Sequence, residues 1–361
     1  MPQKNSPSLP PAHAAVQRGP DQRGCDQRGC DQRGLSRRGL SRRDVLYGLG
    51  VLPLATAGAA PVVPFSAGDV VVGCTLLNDA KDDHRGLGRI LHYDAALRLR
   101  QVITLDDTTH IVQGLKFGPD RTLWAFDAFA YKIVRFDAQA RRRENFTAPA
   151  RSFAHVTFAR DGRFFLGENF VGEKSRVPLG TTLPFMPGTR RLGDGHLFEF
   201  SRQGTLLREH ATPVHGGMGG FQGLTSSALA ADDRTLVYTS ESGPRIMRWD
   251  LIDRVALPDL VSAPDNSGRF FFDVRYDEAG RLLVVTGLGI DAFDADGRLM
   301  RSYPLGSFGW ASLGTPREGF VHASNFFSGE IACLDLASGK VVARAQTGIR
   351  KSASGLDSFP G

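Results

Sequence analysis

A six-residue phrase recurs six times along this chain and constrains its fold more than any other feature. Each copy has Ile or Leu second, an aromatic residue or Leu fifth, and Asp or Ser last. Successive copies end about 41 to 64 residues apart, which is the spacing of propeller blades. The copies read RILHYD ending at Asp94, KIVRFD ending at Asp137, HLFEFS ending at Ser201, RIMRWD ending at Asp250, GIDAFD ending at Asp294 and EIACLD ending at Asp335.

Apolar and polar residues alternate within the phrase, as they do in a half-buried β-strand. Most copies are preceded by two apolar runs joined by a short polar turn, such as GLKFGPDRTLWAFD from Gly114 and DVRYDEAGRLLVVT from Asp273. This order predicts four-stranded sheets. Because one such sheet cannot bury both of its faces alone, six of them should stack around an axis. We therefore predict an all-β fold, a six-bladed β-propeller.

The first blade lacks an innermost strand ahead of Val70. The C-terminal segment SASGLDSF, residues 352–359, has the pattern of that missing strand. We therefore predict that residues 352–359 pair with the first strand of the chain and close the ring. The alternative is a frayed C-terminal tail.

The N-terminal part of the chain has a different composition. Residues 1–34 contain a Gly- and Arg-rich pentapeptide repeat with almost nothing to bury, which predicts a disordered low-complexity leader. Residues 35–60 combine Arg42 and Arg43 with a short apolar run and a small-residue cleavage site, as in a twin-arginine-type signal peptide. The alternative is a cytoplasmic protein with a chance arginine pair.

Export through this signal predicts a periplasmic or secreted protein whose propeller spans residues 66–361. The apolar run is too short to cross a bilayer, so no transmembrane anchor is expected after cleavage. The whole chain has a formal charge of +6, but residues 1–60 hold nine basic and four acidic residues. The remainder is thus near +1, which argues against a nucleic-acid partner. We expect a monomer that acts on or binds a small molecule.

Two cysteines, Cys74 and Cys333, lie in predicted strands of blades one and six, which are neighbours across the ring closure. A disulfide between them would suit an exported protein. Two buried free thiols are the favoured alternative, because the two residues lie at different levels of their strands.

Polar residues recur where innermost strands begin and where second strands end. In a propeller these positions surround the same mouth of the central channel. Their carboxylate, amide and imidazole groups could hold a divalent cation such as Ca²⁺, which prefers oxygen ligands. The candidates are Gln113, His155, Gln222 and Asp273 at strand starts, and Asp127, Glu168, Asn169 and Glu241 at strand ends.

Each candidate has an expected role. The catalytic residues would be His155 and Asp273, with His155 as a general base beside a cation that polarises a carbonyl or activates water. The metal ligands would be Glu168, Glu241 and Asp273. The substrate-binding residues would be Gln113, Gln222 and Asn169. The alternative for each residue is a solvated loop end or a hydrogen-bonded plug of the channel.

Longer phrases carry a resemblance to a known family. LAADDRTLVYTSESGPRIMRWDL from Leu229 and VRYDEAGRLLVVTGLGIDAFDADGRLM from Val274 are similar to blades of the senescence marker protein/gluconolactonase/luciferin-regenerating family. This resemblance implies a TolB-like or calcium-dependent phosphotriesterase-like propeller. It also implies one divalent cation at the channel mouth, with Gln113 in a Q-G-L that matches an N-G-L ligand motif. The family's acidic E-G-P motif is absent.

Three functions remain open from the sequence. The first is an exported, metal-dependent sugar-lactone or ester hydrolase acting at the channel mouth. The second is a non-catalytic ligand- or protein-binding propeller of the cell envelope. The third is an enzyme similar to streptogramin lyase, for which His155 and Glu168 are the obvious His–Glu pair.

Overall fold

The computed structural model describes residues 62–79, 86–108, 113–172, 193–214, 223–241, 243–264 and 267–361. These residues belong to the compact unit Ala59–Gly361. Every regular element within them is a β-strand, and they include no candidate membrane-spanning helix. The leader and the signal peptide predicted at residues 1–34 and 35–60 lie outside the described residues, as does Gln222, so these expectations stay predictions.

Six four-stranded antiparallel sheets form the blades of a propeller, which confirms the predicted fold class. Blade one contains β1 (Val70–Leu77), β2 (Gly86–Tyr93) and β3 (Leu99–Leu105). Blade two contains β4 (Gln113–Phe117), β5 (Leu123–Asp127), β6 (Lys132–Phe136) and β7 (Arg142–Arg143). Blade three contains β8 (Phe153–Phe158), β9 (Phe164–Glu168), β12 (Leu197–Phe200) and β13 (Leu206–His210). A separate two-stranded ribbon pairs β10 (Val171–Gly172) with β11 (Gly193–Asp194).

Blades four to six follow the same order. Blade four contains β14 (Ser226–Leu229), β15 (Thr235–Thr239), β16 (Arg245–Asp250) and β17 (Val255–Ser262). Blade five contains β18 (Val274–Tyr276), β19 (Leu282–Val285), β20 (Gly289–Phe293) and β21 (Leu299–Pro304). Blade six contains β22 (Trp310–Leu313), β23 (Phe320–Asn325), β24 (Glu330–Asp335) and β25 (Val341–Gln346). The last strand, β26 (Leu356–Ser358), is the innermost strand of blade one.

The C-terminal strand closes the ring, as the sequence predicted. β26 pairs antiparallel with β1, with Val70 opposite Ser358 and Val72 opposite Leu356. The Phe359 N–H donates to the Asp69 carbonyl at 2.8 Å, which extends the pairing beyond the strand. The first blade is therefore built from both ends of the described chain.

The apolar core of the described residues is divided among the interfaces between neighbouring blades. Each interface holds one cluster of buried side chains. At the closure, Val70 and Val72 of blade one pack with Ile331 of blade six, and Cys74 and Cys333 belong to the same cluster. Both cysteines are free thiols, which confirms the favoured alternative. Burial raises the pKa of Cys74 to about 11, so this thiol is unreactive near neutral pH.

The aspartate that ends the recurring phrase explains why the phrase recurs. Asp94 follows β2, and its Oδ1 accepts the N–H groups of Ala96 and Arg98. The Arg98 guanidinium donates through Nε to Asp94 Oδ2 at 2.8 Å. Leu97, between the two residues, has a φ of 58°. The same turn is built by Asp137 with Arg141 and by Asp294 with Arg298. A carboxylate at this position thus fixes the turn from the third strand to the fourth.

Three innermost strands carry a β-bulge at their start. The pairing shifts by one residue between Gln113 and Leu115, between Phe153 and His155, and between Trp310 and Ser312. Gly114 lies in the first bulge with a φ of 45°, and a Cβ added to it would lie 1.8 Å from the Ala154 carbonyl oxygen. Only glycine allows the innermost strands of blades two and three to approach this closely.

Candidate ligand site

The channel has two ends with different side chains. We call the upper end the one where innermost strands begin and second strands end, and the lower end the one where innermost strands turn into second strands. The predicted candidates Gln113, His155, Asp273, Glu168 and Asn169 belong to the upper part of the channel wall. Together with Gln222 and Glu241, they are the residues on which the predicted chemistry depends.

His155 is buried on β8 and contacts the innermost strand of the next blade. Its Nε2 lies 2.7 Å from Ser227 Oγ, and Ser227 Oγ also lies 2.8 Å from Thr157 Oγ1. Its Nδ1 is buried without a hydrogen-bond partner. Burial, followed by the charge of Arg275, lowers the pKa of His155 to about 3. The imidazole is therefore neutral at physiological pH.

Two buried histidines predict acid sensitivity. The pKa values of His155 and His322 are lowered by burial to about 3 and about 4, against 6.5 in an unfolded chain. Below pH 6.5 these histidines bind protons in the unfolded chain but stay neutral in the native chain. The free energy of unfolding is therefore highest above that pH and falls as the pH drops toward 4. Melting temperatures from about pH 7.5 to about pH 4.5 should show this decline, and His322→Gln should make it shallower. Equal slopes in the two proteins would contradict this interpretation.

Asp273 lies just before β18 and has both carboxylate oxygens occupied. Oδ1 accepts from Arg275 Nη1 at 2.5 Å and from Ser226 Oγ at 2.5 Å. Oδ2 accepts the Leu313 N–H of blade six at 2.8 Å. The carboxylate thus joins three neighbouring blades through β14, β18 and β22. In this arrangement it acts as a buried ion-pair partner.

Glu168 and Asn169 end the second strand of blade three and hold nearby loop segments. Glu168 Oε2 accepts the N–H groups of Asp194 and Gly195 at 3.0 and 2.9 Å. Burial raises the pKa of Glu168, although these backbone donors oppose that effect. Its Oε1 is buried without a hydrogen-bond partner and lies 3.8 Å from Arg151 Nη1. Asn169 Oδ1 accepts from Thr225 Oγ1 at 3.0 Å.

The remaining candidates are placed as follows. Gln113 starts β4, and its Oε1 is buried without a partner. Glu241 follows β15, two residues after its end, and is partly exposed. Asp127 ends β5, where its Oδ1 accepts the Phe129 and Ala130 N–H groups and fixes a turn.

The structure brings some of these candidates to one segment. His155 contacts Ser227, Asp273 contacts Ser226 and Asn169 contacts Thr225, so all three meet residues 225–227. His155 and Asp273 lie on opposite sides of β14, because successive side chains of a strand point to opposite faces. His155 and Glu168, both within the described chain, share no hydrogen bond and bind different partners.

A group of possible metal ligands lies beside Glu168 rather than at the predicted positions. One ligand atom each from Asp194, His196 and Glu209 lies within 4.8 Å of the others. His196 Nδ1 is 2.6 Å from Glu209 Oε1. Among the described residues, these three side chains could hold a divalent cation. The predicted ligands Glu168, Glu241 and Asp273 do not form such a group.

The lower end of the channel opens into a cavity of about 560 Å³, which we call the axial cavity. All six blades contribute to its wall, so it lies on the propeller axis. Its lining residues are Lys116, Phe117, Gly118, Pro119, Arg121, Val156, Thr157, Phe158, Ser227, Ala228, Leu229, Arg275, Tyr276, Thr315, Arg317, Pro360 and Gly361.

The axial cavity is strongly cationic. None of its described lining residues is an Asp or Glu. Four of its lining side chains are basic, namely Lys116, Arg121, Arg275 and Arg317. Two carboxylates, Asp273 and Asp357, lie behind the wall and balance part of this charge. The basic side chains of the wall outnumber these two side-chain carboxylates. The Nε atoms of Arg275 and Arg317 are buried without hydrogen-bond partners.

Lys116 is the most perturbed cation of the cavity. Its Nζ donates to Thr315 Oγ1 at 2.7 Å. Burial lowers the pKa of Lys116 to about 8, with the charges of Arg275 and Arg317 adding to the effect and those of Asp357 and Asp273 opposing it. A bound anion would favour the protonated form of this amine. Asp357 is held in place, because its two oxygens accept the Phe117 and Thr315 N–H groups at 2.7 Å.

None of the residues predicted from the sequence as site residues lines this cavity. A signal for it exists in the apolar runs of the innermost strands. The position two residues before the first residue of the turn holds Lys116, Thr157 and Arg275 in blades two, three and five. Two basic residues at one repeat position indicate a charged ring around the axis. The candidates predicted from the sequence lie near the first residues of the same strands, at the other end of the channel.

Comparisons with known proteins support the fold. No model of a known protein family matches this chain, and no curated protein matches it in sequence. A solved protein of unknown function from Bacteroides caccae is similar, with a TM-score of 0.57 and 13% identity over 82% of this chain and 100% of that chain. A chain in the nidogen/laminin complex has a TM-score of 0.54 and 12% identity, over 81% of this chain and 98% of that chain.

A streptogramin B lyase structure has a lower TM-score of 0.47 at 15% identity, covering 66% of this chain and 70% of that chain. At these identities the comparisons show a shared fold and carry no function to this chain. The finer resemblance to the senescence marker protein/gluconolactonase family stays a prediction.

Proposed function

We propose that this protein is a ligand-binding propeller that takes up a small organic or inorganic anion in its axial cavity. The observation that carries the proposal is the convergence of Lys116, Arg275 and Arg317 on one cavity without an acidic residue among the described lining. A volume of about 560 Å³ is within the range of small-molecule sites. Carboxylate and phosphate groups are the anions that such donors bind best.

The buried polar atoms of the wall strengthen this proposal. Arg275 is 8% exposed, and its Nε has no hydrogen-bond partner. A buried donor without a partner is costly, and an anion that accepted from it would remove that cost. Thr157 and Ser227 add hydroxyl groups to the same wall. The site therefore offers both charge and directional hydrogen bonds to one ligand.

The predicted hydrolase receives less support from the geometry. Its expected base His155 is neutral and bonded to Ser227, and its expected ligand Asp273 is bonded to Arg275 and Leu313. Metal-dependent lactone or ester hydrolysis, the streptogramin-lyase alternative, the calcium ion and export from the cytoplasm remain predictions. Calcium-dependent hydrolysis of a panel of lactones, lost in Asp273→Asn, would favour the hydrolase over the binding protein.

Anion binding should depend on Lys116. Titration calorimetry with citrate and inorganic phosphate should show binding to the full chain, and Lys116→Met should weaken it by about 10- to 100-fold, as for loss of a charged hydrogen bond. In the unaltered protein, affinity should fall as pH rises through about 8, where Lys116 loses its proton.

Two controls locate the effect. Lys340→Met removes a positive charge from an exposed position that does not line the axial cavity, and it should leave affinity unchanged. Gln113→Leu alters the upper end of the channel and should also leave affinity unchanged. Binding that is lost in Gln113→Leu but kept in Lys116→Met would contradict the proposed site. Failure of both anions to bind the full chain would contradict the proposed function.

A further inference from the structure

Five phenylalanine rings form one continuous surface at the upper end of blades five and six. Ring centroids are 6.0 Å apart for Phe270 and Phe272, 6.1 Å for Phe270 and Phe308, and 6.1 Å for Phe308 and Phe327. Phe326 extends the row at 5.3 Å from Phe327. We call these five residues the phenylalanine surface. It lies at the opposite end of the propeller from the axial cavity.

The most exposed members of this region stand at the tips of adjacent turns. Phe308 is 45% exposed between Gly306 and Gly309, which both have positive φ angles. Phe327 is 48% exposed in the turn that follows β23, and Leu288 is 58% exposed in the turn between β19 and β20. Single exposed apolar residues are ordinary, but a contiguous aromatic patch marks a binding surface.

Basic residues border the phenylalanine surface on two sides. Arg269 directly precedes Phe270, and its side chain is 46% exposed and 3.4 Å from Asp291. The Lys351 N–H donates to the Phe327 carbonyl at 3.3 Å, which places Arg350 and Lys351 beside the aromatic rings. Both are exposed, and neither forms an ion pair with an acidic residue of the described chain.

We propose that the phenylalanine surface binds a membrane that contains anionic lipids. Apolar side chains at turn tips can enter the boundary between lipid headgroups and acyl chains. Cations beside them are then positioned against negatively charged headgroups. The positive border is what favours a lipid surface over a second copy of this chain, in which the same cations would face each other. With the upper end on the membrane, the axial cavity would remain open to water.

Vesicle sedimentation tests this proposal with the full chain. The protein should sediment with vesicles of phosphatidylcholine and phosphatidylglycerol, and less with phosphatidylcholine alone. The double variant Phe308→Ser with Phe327→Ser should lower the partition coefficient by about 100-fold, because each aromatic ring that enters the membrane contributes about tenfold. The double variant Arg350→Gln with Lys351→Gln should reduce binding to the anionic vesicles only.

A matched control replaces apolar residues that lie elsewhere. Leu299 and Met300 on β21 are 43% and 54% exposed, and their double serine variant should bind vesicles as the full chain does. Equal vesicle binding by the Phe308/Phe327 variant and the full chain would overturn the proposal, because another part of the chain would then be responsible. A dimer in light scattering that this variant dissociates would also overturn it, since the surface would then join two copies.

Discussion

A chain that ends at Ser354, without the closing strand, is expected to lose cooperative folding. The truncation removes Leu356 and Phe359, which are 1% and 4% exposed in the interfaces of blade one. Loss of two such side chains costs at least about 5 kcal/mol. It also removes the Asp357 carboxylate, so the Phe117 and Thr315 N–H groups lose their acceptor at about 1–3 kcal/mol each.

The sum is comparable with the whole stability of a folded domain, about 5–15 kcal/mol. Urea unfolding followed by circular dichroism should therefore show no cooperative transition for the truncated chain. A chain that ends at Phe359 keeps β26 and is the matched control, with an expected transition close to that of the full chain. Cooperative unfolding of the shorter chain at an unchanged midpoint would show that the ring does not depend on its C-terminal strand.

Arg275→Met should be the most destabilising single substitution at the channel wall. It leaves the Asp273 carboxylate without its guanidinium partner in a site where both side chains are about nine-tenths buried. Removing one member of a buried ion pair costs about 3–5 kcal/mol. The midpoint of urea unfolding should fall accordingly, with an unchanged dependence on denaturant.

The double variant Asp273→Asn with Arg275→Met separates the ion pair from simple loss of volume. Removing both charges should restore part of the stability that Arg275→Met loses, because no uncompensated charge remains buried. If the double variant loses as much stability as the two single variants together, the two side chains are not energetically coupled. In that case Asp273 would be free for the catalytic or metal-binding role predicted from the sequence.

The fold could be predicted from the sequence because its determinants are local and repeated. The phrase that ends at Asp94 and Asp137 marks the third strand and its turn, and the turn is fixed by contacts within five residues. The closing strand could be found because blade one lacked a partner for Val70. These features follow from strand periodicity and turn chemistry, which a single sequence displays.

The ligand site could be predicted only in part. Gln113, Asp127 and Glu168 lie at strand ends, as the sequence predicted. However, bulges at Gly114 and Ala154 change which way the following side chains point. Period-two patterns do not reveal such shifts. The axial cavity joins Lys116 to Thr315 and Arg317, about 200 residues away along the chain. Which residues meet there depends on ring closure, so no short motif describes the site.

Anomalous diffraction from crystals soaked in selenate would test the central claim most directly. Selenate is a compact divalent anion whose position can be seen independently of the protein model. We predict a selenium peak inside the axial cavity, within hydrogen-bond distance of Lys116 and Arg317. A peak at the upper end beside Gln113 and His155, or no peak on the propeller axis, would contradict the assignment of ligand binding to the lower end.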